Sequence, residues 1–140
     1  MQAITKFTGE YGWLSNFYGG PAMYEGDLYL SSEAAFQAAK TLDKQERIAF
    51  QSMKPWEAKD AGKKISLRPD WEQIKDDVMF DILLDKFSRN PESKAKLLAT
   101  GDAHLEEGNQ HGDMIWGTVD GVGANRLGKA LMKVRARLMR

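Results

Sequence analysis

The spacing of apolar side chains between residues 69 and 89 constrains the fold more than any other feature of this sequence. Apolar side chains recur at intervals of three and four residues at Trp71, Ile74, Val78 and Ile82, and a further pair, Leu83 and Phe87, is four residues apart. An α-helix turns once every 3.6 residues, so these side chains share one wide face. Pro69 suits the start of such a helix, and Asn90-Pro91 suits its end. The segment therefore predicts a long amphipathic helix at the centre of the core.

Capping and helix-breaking residues predict shorter helices elsewhere. Ser31 or Ser32 is a suitable N-cap for the alanine-rich segment 33–42. Asp43 and Glu46 have the spacing of a capping box, which predicts a second helix start. Further helix boundaries are indicated by Pro55, Gly62, Pro91, Gly101 and Asn125.

The last fifteen residues combine an apolar stripe with an uneven charge. Steps of four, three and four residues join Leu127, Leu131, Val134 and Leu138. Residues 126–140 hold six basic and no acidic side chains, although the whole chain balances 20 Lys and Arg against 20 Asp and Glu. The overall balance argues against broad, charge-driven binding to nucleic acid. The basic helix face is interpreted first as solvated surface, with a contact to nucleic acid as the alternative.

Short strands are predicted near the N-terminus, where residues 3–7 alternate and Glu25-Gly26-Asp27 suits the turn of a hairpin. A further strand pair is expected within residues 103–118. No strand–helix–strand alternation is visible, which disfavours a doubly wound nucleotide fold. We predict one α+β domain over residues 1–140, dominated by helices, with a small and mostly antiparallel N-terminal sheet.

Several function classes are excluded by composition. The absence of cysteine removes disulfides, a thiolate nucleophile and Cys-bound metal. His104 and His111 are too few for a three-histidine site and lack an HExxH pattern. No run of eighteen apolar residues occurs, and the first residues carry no secretion or lipidation motif. We therefore expect a soluble, cytoplasmic protein with no membrane association, no metal and no cofactor.

The first candidate site lies in the predicted helix after Ser32. Glu33, Gln37 and Lys40 are spaced four and three residues apart, so a carboxylate, an amide and an amine project from one helix face. The surrounding alanines predict that little bulk shields these groups from a ligand. The alternative is a solvated polar stripe, which is common on amphipathic helices.

Three other stretches offer candidate binding residues. Asp113, Trp116 and Gly117, with Glu107 upstream, combine carboxylates with a stacking face; the alternative is a loop whose Trp covers the core. Asn125 and Arg126 follow a glycine-rich lead-in whose free N–H groups suit a phosphate, with an ordinary capped lead-in as the alternative. In the aromatic run 13–18, Asn16 beside Phe17 suits a base edge or a sugar hydroxyl, and a turn-forming Asn is the simpler interpretation.

Taken together, these stretches resemble the NADAR (YbiA-like) family. The resemblance runs almost from end to end and is carried by Phe7, residues 14–18 (LSNFY), 24–26 (YEG), Ser32, Glu33, Gln37, Lys40, residues 68–72 (RPDWE), Met79, Lys86, Phe87, residues 100–102 (TGD), Leu105, Glu107, Asp113, Trp116, Gly117, Asn125 and residues 127–129 (LGK). Two positions depart from the pattern: Ala34 stands where many relatives have His, and Trp13 replaces a common Phe.

The resemblance implies an N-glycosidase that cleaves the bond between ribose C1′ and a nitrogen. Two substrate groups are implied: ribosylamino-pyrimidine phosphates of riboflavin synthesis, and ADP-ribose attached to guanine in DNA or RNA. The catalytic set would be Glu33, Lys40 and Asp113, with Lys40 either a Schiff-base nucleophile or a charged anchor. Substrate would contact Asn16, Phe17, Gln37, Trp116, Gly117, Asn125 and Arg126. A nucleotide-binding module without turnover and an interaction domain that uses the basic terminal helix are the alternatives.

Overall fold

The computed structural model describes residues 2–140. These residues form a 3₁₀ helix, Gly9–Leu14, two strands and six α-helices: β1 (Ala22–Tyr24), β2 (Asp27–Tyr29), α1 (Ser32–Ala39), α2 (Lys44–Phe50), α3 (Pro55–Gly62), α4 (Trp71–Arg89), α5 (Pro91–Ala99) and α6 (Arg126–Leu138). The predicted fold class, helix-dominated α+β with a small antiparallel sheet, is confirmed.

Helix α4 is the centre of the core, as its apolar spacing predicts. It begins at Trp71, two residues after Pro69, and packs against α1, α6 and β1. Its inward face buries Val78, Met79, Ile82, Leu83 and Phe87. Burial of side chains of this size stabilises a fold by about 1.5–3 kcal/mol each. The same face also buries a lysine, Lys86, at a position that the apolar pattern does not predict.

The helix starts agree with the sequence, with one change in detail. Ser31 caps α1, because its hydroxyl accepts a hydrogen bond from the Ala34 N–H at 3.1 Å. Asp43 caps α2 by accepting from two backbone N–H groups. The expected capping box is only half formed, because Glu46 does not accept from the backbone N–H of Asp43. Its carboxylate accepts from the Thr41 hydroxyl at 2.6 Å instead. The backbone N–H of Asp43 donates to the same hydroxyl.

Only part of the strand prediction is confirmed. β1 and β2 pair antiparallel around the turn at Glu25 and Gly26, both with positive φ. The expected strands within 3–7 and 103–118 are wrong: isolated bridges stand there, such as Ile4 with Leu105. Asn109 and Asp113 give the reason, because their side-chain oxygens accept N–H groups of the loop itself and compete with a ladder.

Across residues 2–140, none of the helices combines the length and the apolar character that crossing a membrane requires.

Candidate active site

A cavity of about 920 Å³ lies between α1, the turn at residues 15–18, the side of α3 and the loop 106–121. This volume is within the range of sites that take small molecules. Seven predicted site residues line it together: Asn16, Phe17, Glu33, Gln37, Lys40, Asp113 and Trp116. Residues far apart in the chain thus meet around one space.

Glu33 lies in the first turn of α1 and is only 8% exposed, so the solvated-stripe interpretation is wrong. Its carboxylate accepts a hydrogen bond from the Gln37 side-chain amide at 2.9 Å. Burial raises the pKa of Glu33, while Gln37, Lys59 and Lys40 act in the opposite direction. The site therefore holds a carboxylate that is shielded from water but has cationic neighbours that favour its charged form.

Lys40 follows α1 directly and lines the same cavity. Its amine lies 6.0 Å from the centre of the Phe36 ring. Burial lowers the pKa of Lys40, and the charge of Glu33 partly opposes that shift. The half-buried lysine therefore holds more neutral, nucleophilic amine than an exposed lysine does.

The alanines of α1 do not form the open patch that the sequence predicts. Ala34, Ala35, Ala38 and Ala39 are fully buried. Their small side chains pack in the core, where α1 contacts α3 and α4. The polar groups of α1 reach the cavity from the opposite side of the helix. The predicted spacing of these groups is therefore right, but the prediction that a ligand approaches them across exposed alanines is wrong.

A glycine of α3 leaves room for the side chain of Gln37. Its side-chain oxygen lies so close to Gly62 that a methyl group on Gly62 would overlap it. The same oxygen is buried without a hydrogen-bond partner among the described residues. Gly62 thereby leaves the space that the side-chain amide needs for the orientation in which its N–H reaches Glu33. The sequence indicated Gly62 only as a helix end.

The opposite wall carries Trp116, whose ring meets Phe36 edge-on at 5.0 Å between ring centres. One carboxylate oxygen of Asp113 accepts the N–H groups of Ile115 at 3.0 Å and of Trp116 at 2.9 Å. Asp113 thus shapes the turn that presents Trp116, in addition to lining the cavity. A flat aromatic face at this position suits stacking with a base.

Glu107 is a second carboxylate of the cavity and is half-buried. Asn109 donates to it at 3.0 Å, and a side chain at Gly117 would collide with it. Asn125 accepts from the Glu107 N–H at 3.0 Å and donates to the Leu105 carbonyl at 2.9 Å. Burial raises the pKa of Glu107, the hydrogen bond from Asn109 opposes that shift, and the nearby charge of Asp113 adds to it. Gly117 and Asn125 therefore position Glu107 instead of lining the cavity.

Comparison with known families matches residues 5–139 to the NADAR domain. The chain belongs to the NADAR family. N-glycosidase YbiA of Escherichia coli (strain K12) is 39% identical over 133 residues, which are 92% of this chain and 82% of that protein. The NMR structure of E. coli YbiA superposes with a TM-score of 0.86 at 36% identity, covering 99% of this chain and 87% of that one.

A riboflavin biosynthesis protein of Vibrio vulnificus (strain YJ016) is 38% identical over 137 residues, which are 91% of this chain but 36% of that longer protein. The family resemblance inferred from the motifs is thus confirmed. This NADAR chain is placed among enzymes named for hydrolysis of N-glycosyl bonds.

Two site residues of the NADAR chain have functions in the cavity wall that the sequence did not predict. Asn16 is buried, and its amide oxygen accepts from the Ser32 hydroxyl at 3.0 Å. Its backbone carbonyl accepts from the Glu33 N–H at 3.0 Å. Phe17 lies beneath the amine of Lys59, 5.8 Å from the ring centre. Lys59 was missed because nothing in the α3 sequence separates it from an ordinary surface lysine.

Arg126 lies outside the cavity of the NADAR chain. It faces Asp76 of α4 at 3.5 Å. The backbone N–H groups of residues 124–127 donate to carbonyls of residues 114–117, so they are not free to bind a phosphate. Asn125 begins α6 in a left-handed conformation, with φ of 51°, and its side chain makes no cap bond to the helix. The predicted phosphate site at this helix start is therefore not formed.

Proposed function

We propose that this protein cleaves the bond between ribose C1′ and a base nitrogen in a nucleotide-like substrate bound in the 920 Å³ cavity. The observation that carries the proposal is the pairing of Glu33 and Lys40, two shielded groups of opposite charge type on one cavity wall. The names of its relatives support the same bond type.

Glu33 stabilises the transition state in this scheme. Departure of the base gives the sugar oxocarbenium character, and a carboxylate beside C1′ lowers the energy of that positive charge. The effect is strongest where water is excluded, which the burial of Glu33 provides. The hydrogen bond from Gln37 fixes the direction of the carboxylate.

Lys40 acts as the nucleophile. Its neutral amine attacks C1′ while the C1′–N bond breaks and the bonding electron pair leaves with the base. The ribosyl-lysine adduct gives up an amine proton and opens to an imine. Water then hydrolyses the imine, which releases the sugar with its phosphate or ADP group still attached and restores the amine.

Glu107 supplies the proton that the departing base needs. Burial raises the pKa of both Glu33 and Glu107, and the two carboxylates differ in the charges around them: two lysines act most on Glu33, whereas Asp113 acts most on Glu107. Two carboxylates in different surroundings can divide the roles of stabiliser and acid. The base itself stacks on Trp116.

Replacing Glu107 with glutamine tests the proton donor. Because an acid donates only while protonated, we expect wild-type kcat/KM to fall as pH rises through the raised pKa of Glu107. The variant is expected to lose about a hundred-fold in rate and to lose that alkaline decline. Glu106→Gln is the matched control, since Thr118 and His104 hold the pKa of the neighbouring Glu106 low. An unchanged alkaline decline in Glu107→Gln would assign the proton to another group.

The substrate is proposed to be one of two groups, a ribosylamino-pyrimidine phosphate or ADP-ribosyl-guanine in DNA or RNA. The riboflavin biosynthesis name of one relative favours the first. The test is to incubate the protein with each substrate and measure free base by chromatography, with binding measured in parallel by calorimetry. Release of base supports the enzyme, whereas binding without release would show a nucleotide-binding module.

A further inference from the structure

Lys86 is the least expected residue of the core. It lies on the apolar face of α4 between Leu83 and Phe87 and has no exposed surface. Burial lowers the pKa of Lys86 to about 7. Within residues 2–140 no carboxylate pairs with its amine. A fully buried lysine without a counter-ion is unfavourable for stability, so its presence in the core points to a role other than packing.

The amine of Lys86 makes its hydrogen bonds to the turn at residues 15–18. It donates to the carbonyl of Ser15 at 2.9 Å and to that of Tyr18 at 2.8 Å. The two acceptors are the two ends of the turn, so one amine fixes its width. Gly19 leaves the space for this approach, because a side chain there would collide with the lysine stem.

The turn at 15–18 connects Lys86 to the cavity. Phe17, inside the turn, is part of the cavity wall. The carbonyl of Asn16 accepts from the backbone N–H of Glu33 at 3.0 Å, and its side chain accepts from Ser32 at 3.0 Å. The turn therefore connects the buried amine to the first turn of α1: the amine bonds to the turn, and the turn bonds to Ser32 and Glu33.

We propose that Lys86 is a positioning residue: from inside the core it holds the turn at 15–18 in the shape that seats Phe17 in the cavity wall and orients the start of α1, which carries Glu33. Its contribution is geometric, since it does not line the cavity. Misplacement of reacting groups by about 1 Å can lower a rate a hundred-fold.

The test is Lys86→Met, which keeps the length of the side chain and removes its N–H donors. We expect the melting temperature to change little, because removal of a buried charge offsets the loss of the two hydrogen bonds to the Ser15 and Tyr18 carbonyls. We expect kcat to fall about ten- to a hundred-fold through Glu33, with a rise in KM through Phe17. Lys86→Gln, which retains N–H donors, is expected to recover part of kcat. The kinetic measurements rest on the proposed function.

Hydrogen–deuterium exchange provides a measurement that does not need turnover. In Lys86→Met, amides of residues 13–20 and 31–36 should exchange faster than in wild type, while those of α5 stay unchanged. Ile82→Val is the control, since it trims the same face of α4 and retains the amine of Lys86 that bonds to the turn. Wild-type exchange and kcat in a folded Lys86→Met protein would overturn the proposal. If Lys86→Met does not fold, Lys86→Leu, which likewise has no N–H donor, decides by the same two measurements.

Discussion

Glu33→Gln is expected to lower kcat by about a hundred- to ten-thousand-fold while the fold is retained. Glutamine keeps the shape of the side chain and can still accept from Gln37, but it has no negative charge to offer the developing oxocarbenium ion. The measurement is the rate of base release under saturating substrate. Glu72→Gln is the matched control, because Glu72 occupies the first turn of α4 but is exposed.

Glu33→Gln should keep or raise the stability of the fold although it lowers activity. Because burial raises the pKa of Glu33, the folded protein disfavours the charged carboxylate, and stability declines as pH rises through that pKa. Glu33→Gln removes this decline, so its melting temperature at neutral pH should equal or exceed that of wild type. A Glu33→Gln protein that folds and retains wild-type kcat would contradict the proposed role.

Borohydride added during turnover is expected to trap the sugar on Lys40. Reduction converts the imine to a stable amine, and mass spectrometry of peptides should place the added mass on that residue. Lys40→Arg, which keeps the charge but holds its guanidinium protonated, should lose activity by about a thousand-fold or more. Lys59→Arg is the control, because Lys59 lines the same cavity and should leave the adduct in place.

The trapping experiment also decides between the two schemes that the sequence left open. In the other scheme Lys40 stays charged, anchors a phosphate or hydroxyl, and Glu33 activates water directly. That scheme predicts no adduct and substantial activity in Lys40→Arg. This pair of results, obtained while base release by the wild type continues, would exclude the covalent route and leave the N-glycosidase proposal standing.

The parts of the structure that were predictable from sequence are those that follow from periodicity and capping. The stripe of α4, the Ser31 cap and the hairpin at Glu25 and Gly26 are local patterns, and all are present. The spacing of Glu33, Gln37 and Lys40 likewise placed them on one wall.

The remainder depends on contacts between distant residues. Lys59 and Lys86 resemble other helix lysines in sequence, and only packing shows one at the cavity and the other inside the core. Asn125 has the sequence features of a cap, but its side chain bonds to residues 105 and 107. Arg126 lies outside the cavity, and the N–H groups around it are used by the loop 114–117, which the sequence does not indicate.

At Gly62, the residue that would most favour the helix is not the residue that best preserves the orientation of Glu33. Alanine usually favours a helix over glycine by about 1 kcal/mol. Here the added methyl group would displace the flexible end of Gln37, and with it the hydrogen bond that aims Glu33. A Gly62→Ala change chosen only to strengthen the helix would therefore disturb the orientation of Glu33 and lower activity. Position 62 should be kept as glycine when this scaffold is engineered.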